Sequence, residues 1–198
     1  MKKTLVLIGA LILTIFVNIP VSLAITEPDD HMSIAMRAAV CGDIEAGRAA
    51  INRYNEYLNS IGSEETRLDF DRIFLLSKLI YYVAGEERLG DEWRMCTGEV
   101  VLNRVASPEF PDSMEEVIYQ PGQYDGVDSD YFAYVLTPTE SCVEAAIRLL
   151  RGERLMEPQV VFQASTPQGG GLYRSFYDHD LGNAFFCVSP NSHLYPSA

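Results

Sequence analysis

Along most of the chain the apolar positions recur at intervals of three and four, and only toward the C-terminus does that rhythm break. Ile44, Gly47, Ile51, Tyr54 and Leu58 make one stripe, which predicts a helix with a single buried side. Asp43 precedes it as a cap and Ile61-Gly62 closes it. A shorter segment over 32–40 can fold back on it, so 25–67 reads as an N-terminal helical arm. From position 69 the stripe strengthens. Ile73, Leu75, Leu76, Leu79, Ile80 and Val83 predict a helix capped by Asp71 that runs out between Gly85 and Gly90. Asp91 opens the next helix, with Met95, Gly98, Val101, Leu102 and Val105 on one side, and Ser107-Pro108 stops it. Thr137-Pro138-Thr139-Glu140 reads as a capping box with proline at the first helical position. The helix it starts passes through Val143, Ala146, Leu149 and Leu150 to Gly152.

Beyond Pro158 the residues turn β-branched and aromatic. Strands are expected over 160–164, 172–176 and 184–188, with Gly169-Gly170-Gly171 as the hairpin turn between the first two. Helices first and a small antiparallel sheet at the C-terminal end make an α+β pattern.

The first residues differ from both patterns. Lys2 and Lys3 precede an apolar run from Leu5 to Val17, and Ser22 and Ala24 supply small side chains where a signal peptidase reads. The expectation is a signal peptide over 1–24, a mature chain from Ile25, and a main domain over 68–198. An uncleaved anchor is the alternative, since about 20 apolar residues span a bilayer. Either way the rest of the chain is exported, secreted or held at the wall.

Charge narrows the partners. The net charge is −13, and cleavage would remove two lysines and no acid. Such a chain lacks the basic footprint of a nucleic-acid binder and would be repelled by an anionic membrane, so no nucleic acid and no membrane beyond export is expected as a partner. Recognition has to come from a shaped groove. Four cysteines, Cys41, Cys96, Cys142 and Cys187, could pair in an exported protein in three ways, or serve as small buried apolar residues. Oligomeric state leaves no mark in the sequence.

No GxSxG elbow, HExxH, P-loop or dinucleotide turn is present. Asp178-His179-Asp180 is read as a solvated loop rather than a metal site, because adjacent side chains diverge. Cys142 near the start of its helix, with His179 downstream, is the one hint of a cysteine peptidase. A hydrolytic or lytic activity with no cofactor and no metal is what these residues leave.

The stretches LLSKLIYYVAGEE, GEVVLNRVASPEFPDSMEEVIYQPGQY and VVFQASTPQGGGLYRSFY resemble the SleB-type cell-wall hydrolases of spore-forming bacteria. The resemblance spans about 70–188, and the VLNRV block at 101–105 followed by YQPGQ at 119–123 is its most specific part. It implies a lysozyme-like, lytic-transglycosylase-like helical core. The implied substrate is the peptidoglycan bond between N-acetylmuramic acid and N-acetylglucosamine. One protonated carboxyl suffices for a lytic cut, provided an apolar setting keeps it neutral until used.

The resemblance also implies where that acid sits: in a Tyr-x-Glu-Ala pattern ending the first core helix, with Gly-Glu soon after. Here the matching residues are Tyr81-Tyr82-Val83-Ala84, then Gly85-Glu86, so valine stands in the acid's place. Three readings stay open. Glu86, or Glu87 beside it, takes the acid role from the helix face of Val83; the acid has been lost and the chain only binds glycan; or Glu99 acts. Tyr119, Gln120, Gln123 and Tyr124 form a loop suited to sugar. Gln163 and Tyr173 are candidates for the groove floor, and Asn103 and Arg104 are expected to tie helix to loop.

Overall fold

The computed structural model describes residues 28–195, so the expected leader over 1–24 lies outside the described residues. The elements are α1 (Pro28–Cys41), α2 (Ile44–Ser60), α3 (Phe70–Ala84), α4 (Gly90–Val105), α5 (Met114–Ile118) and α6 (Glu140–Leu150), then β1 (Val160–Ala164), β2 (Gly171–Asp178) and β3 (Gly182–Val188). This is the α+β fold expected, with three strands where the β-branched and aromatic runs lie. No described helix is long and apolar enough to cross a membrane.

The helical part has two linked cores. One gathers Leu76, Leu79 and Ile80 of α3 with Met95, Val101, Leu149 and Phe132. The other sets Ile51, Tyr54 and Leu58 of α2 and Ala35 and Ala39 of α1 against Phe70, Ile73, Val143 and Ile147. Asp43 caps α2 by accepting from the Ala46 N–H at 3.1 Å. Gly47 lets α2 close on α3, because a Cβ there would stand 2.0 Å from the Phe70 ring.

Two caps differ from expectation. Asp69 caps α3 through the Arg72 N–H at 3.0 Å, while Asp71 pairs with Arg48 of α2 at 3.0 Å. Thr139, not Thr137, is the N-cap of α6, and Pro138 lies outside the helix. In both cases several capping residues stand close together, and the packed position of the helix selects among them.

The third core joins sheet to helix: Ala84, Trp93, Cys96 and Val100 face Met156, Val160, Ala184 and Phe186. Helix α4 therefore runs between the other helices and the sheet and is buried on all sides from Trp93 to Arg104, rather than on one stripe.

The sheet order is β1-β3-β2, all antiparallel. The expected hairpin between the first two strands is thus replaced by a crossing, and β2–β3 is a hairpin with its turn at 178–182. Gly169 and Gly170 serve a different purpose. The chain passes so close to the end of β3 that a Cβ at either would stand 2.4 or 2.6 Å from the Val188 or Ser189 carbonyl oxygen.

Candidate functional site

Helix α3 ends at Ala84, and a Cβ on Gly85 would stand 2.3 Å from the Tyr81 carbonyl oxygen. Gly85 keeps a helical backbone, but Glu86 turns to an extended one, which takes it off the helix axis ahead of a 3-10 turn over Glu87–Leu89. The helical spacing that would put Glu86 and Glu87 on the face of Val83 does not apply, because the helix stops two residues short of Glu86. Two arginines hold this turn. Buried Arg94 of α4 donates to the Glu86 and Glu87 carbonyl oxygens at 3.0 and 3.2 Å. Arg88 donates to the Glu86 carboxylate at 3.0 Å and, through two nitrogens, to Asp178 at 2.9 Å each. It also pairs with Asp180 at 3.0 Å, so one guanidinium ties the Glu86 turn to the β2–β3 turn. That contact holds the Asp178 carboxyl well below the usual carboxylate range.

Two open cavities meet beside this turn. The first, about 410 Å³, is lined by Tyr81, Tyr82, Val83, Glu86, Glu87, Tyr131 and Leu181 among others. The second, about 260 Å³, is lined by Val83, Trp93, Tyr124, Gln163, Leu181 and neighbouring small residues. Val83 and Leu181 belong to both, so the two form one groove between helices and sheet with Val83 at its middle. Glu86 and Glu87 are its lining carboxylates, with side chains 58% and 77% exposed. Another cavity of about 410 Å³ lies at the α3–α5 side, around Asp71, Leu75 and Met114. It takes in none of the candidate residues.

Of the predicted sugar loop, Tyr124 reaches the groove. Its ring lies 5.7 Å from the Arg104 guanidinium carbon, and burial pushes its hydroxyl pKa up. Tyr119 stands edge-on to Phe132 at 6.2 Å, Gln120 has its side-chain amide oxygen buried, and the Gln123 N–H closes a turn on the Gln120 backbone carbonyl at 3.2 Å. None of these three lines either cavity. Gln163 does, and its amide donates to Thr97 Oγ1 at 3.1 Å. Tyr173 sits at the irregular register of β2, beside Arg174 and away from both cavities. The sheet register carries it there, a displacement no local pattern foretells.

Glu99 is fully buried, and its two carboxylate oxygens accept from the Leu155 and Met156 N–H groups at 2.8 and 3.0 Å. Burial pushes its pKa up, against those two bonds. Asn103 donates to the Glu157 and Val160 carbonyls at 3.0 and 3.1 Å, and Arg104 to that of Val161 at 2.6 Å. The polar residues of α4 thus fasten the segment leading into β1, which is why they are buried.

Cys142 lies in the helical core, where burial pushes its thiol pKa up. His179 is exposed on the β2–β3 turn beside Asp180. A Cys142–His179 pairing is overturned by that separation. All four cysteines are free thiols, Cys41 exposed and the other three buried.

Sequence reasoning missed Trp93, Tyr82, Tyr131 and Leu181. Trp93, the single tryptophan of the chain, was the detectable one. Its ring stacks on Phe176 at 5.3 Å and borders the second cavity.

No curated protein and no solved structure matches the chain. A family model does, and its match opens just after Glu86 and Glu87 and takes in α4, the Tyr119–Tyr124 loop, Gln163 and Tyr173. Over residues 89–177 the chain is similar to the family described as Cell Wall Hydrolase, whose model matches that stretch.

Proposed function

We propose that this protein cuts the glycan strands of peptidoglycan between N-acetylmuramic acid and N-acetylglucosamine, outside the cytoplasm, by a SleB-type lytic reaction with Glu86 as the acid. The observation that carries the reading is the groove: Glu86 lines it beside Val83, and Tyr124 and Gln163 line its other end. In this reaction the Glu86 carboxyl gives its proton to the bridging oxygen as the C1–O bond breaks. The carboxylate then takes the proton of the muramic C6 hydroxyl, whose oxygen bonds to C1 and closes a 1,6-anhydro ring. No water is consumed and one carboxyl serves both steps, unlike the carboxyl pair of ordinary glycosidases.

The free chain leaves Glu86 open to solvent and hydrogen-bonded by Arg88. A sugar bound over Val83, Tyr81 and Leu181 supplies the apolar cover that a proton donor needs. Tyr82 and Tyr131 offer exposed rings along the same cavity, flat faces suited to the apolar side of a pyranose. Glu87, further into solvent and 4.0 Å from Arg94, is the weaker candidate.

Glu86→Gln keeps shape and hydrogen bonding but has no proton to give. Release of anhydro-muropeptides from purified peptidoglycan should fall roughly a hundred- to ten-thousand-fold, while Glu87→Gln retains most activity. Undiminished digestion by Glu86→Gln ends the assignment. Val83 at the middle of the groove favours a second reading, a glycan-binding relative without the acid. An inactive parent that gains activity on Val83→Glu would establish it.

A further inference from the structure

We propose that the second cavity is a pocket for the 2-acetamido group of an N-acetylated sugar, and that it makes this groove selective for N-acetylated glycan. The inference rests on reading the groove as a glycan site and names which part of the sugar is recognised.

Three side chains lining this cavity each hold a buried polar atom without a hydrogen-bond partner: Trp93 Nε1, Tyr124 OH and Gln163 Oε1. Buried polar atoms are nearly always paired, so three orphans around one cavity point to a ligand that pairs them. Their chemistry is specific. The indole N–H only donates, and the amide oxygen only accepts. The Gln163 amide nitrogen donates to Thr97, which leaves the oxygen without a partner. The tyrosine hydroxyl does either. An acetamido group offers a carbonyl for the indole N–H, an N–H for the amide oxygen and a methyl for apolar wall. Val83, Ala164 and Ala184 provide that wall.

No carboxylate, lysine or arginine lines this cavity, whereas Glu86 and Glu87 line the other. A neutral group therefore suits it better than the ammonium of a de-N-acetylated sugar. The frame is held in advance: Trp93 by its stack on Phe176, and Tyr124 by the Arg104 guanidinium over its ring. Gln163 is only half-buried, so a small rotation brings its amide oxygen to the entering group, while the Tyr124 hydroxyl reorients its hydrogen with the ring in place.

The test titrates the protein with two neutral β-1,4-linked tetrasaccharides, one of N-acetylglucosamine and one of glucose, by calorimetry or NMR. They differ only at the 2-substituent, so the acidic charge of the chain favours neither. Binding should be at least about tenfold tighter for the acetylated one. Trp93→Phe keeps a ring against Phe176 without the N–H and should erase most of that preference. Tyr124→Phe provides a second reading of it should the first variant lose its fold by circular dichroism. Equal binding of the two sugars, no binding of the acetylated one, or an undiminished preference in the folded variants overturns the pocket. Selective binding without peptidoglycan cleavage keeps the pocket and removes the catalytic reading. Glu86-dependent cleavage without selectivity does the reverse.

Discussion

Glu99→Gln separates a structural carboxylate from a catalytic one. Both oxygens of Glu99 are occupied by the N–H groups of Leu155 and Met156 at 2.8 and 3.0 Å, and the side chain is fully buried. Glutamine keeps one acceptor and turns an NH₂ donor toward the other N–H. The loss is one charge-assisted hydrogen bond, roughly 1.5–3 kcal/mol, and a buried N–H left unpaired, roughly 1–3 kcal/mol and partly the same energy. Against this, the neutral amide escapes the desolvation that pushes the Glu99 pKa up. The net is about 2 kcal/mol. For a chain of 198 residues, about 1 kcal/mol lowers Tm by about 2–4 °C, so Glu99→Gln should melt about 4–8 °C below the parent. Below that temperature it should still digest peptidoglycan. The pH dependence gives an independent check. Because the folded pKa lies above the unfolded value of about 4.3, the parent should gain stability relative to the variant as pH falls through that interval. Other carboxylates cancel, being common to both proteins. A variant that melts like the parent yet releases no anhydro-muropeptides would refute the reasoning and make Glu99 the proton donor.

Gly47→Ala should lower Tm through a loss of about 1–3 kcal/mol, because the new methyl would meet the buried Phe70 ring; an unchanged melting curve means α2 and α3 do not pack as described. Asp178→Asn removes a carboxylate held below its ordinary range by Arg88. The parent should be the more stable at neutral pH. Its advantage should fade below about pH 3.9, the unfolded aspartate value, as the carboxyl protonates; an advantage independent of pH in acid-unfolding curves rules the Arg88 clamp out as its source.

How much was legible in the sequence follows the range of the forces involved. Helix α2 with its Asp43 cap, the ends of α3 and α4, and the three strands rest on interactions within a few residues, so periodicity and turn residues suffice to place them. The α+β class follows from their order. Where several local solutions compete, as with Asp69 against Asp71 or Thr139 against Thr137, the sequence offers both and packing chooses. The β1-β3-β2 order was not legible, because strand pairing is a contact across distant chain and the glycines at 169–171 suit a hairpin as well as a close crossing. The stripe on α4 showed half of its burial. Asn103 and Arg104, expected to tie helix to loop, found their partners in carbonyls of the sheet, and the segment leading into it supplied N–H groups for Glu99, so both sides of the helix are covered. For the candidate site, sequence named Glu86, Tyr124 and Gln163 by type and place. Only the tertiary structure brought them to one groove and added Trp93 and Leu181. It left Tyr119, Gln120, Gln123 and Tyr173 outside the two cavities, because side-chain convergence depends on helix ends and sheet register that no local pattern encodes.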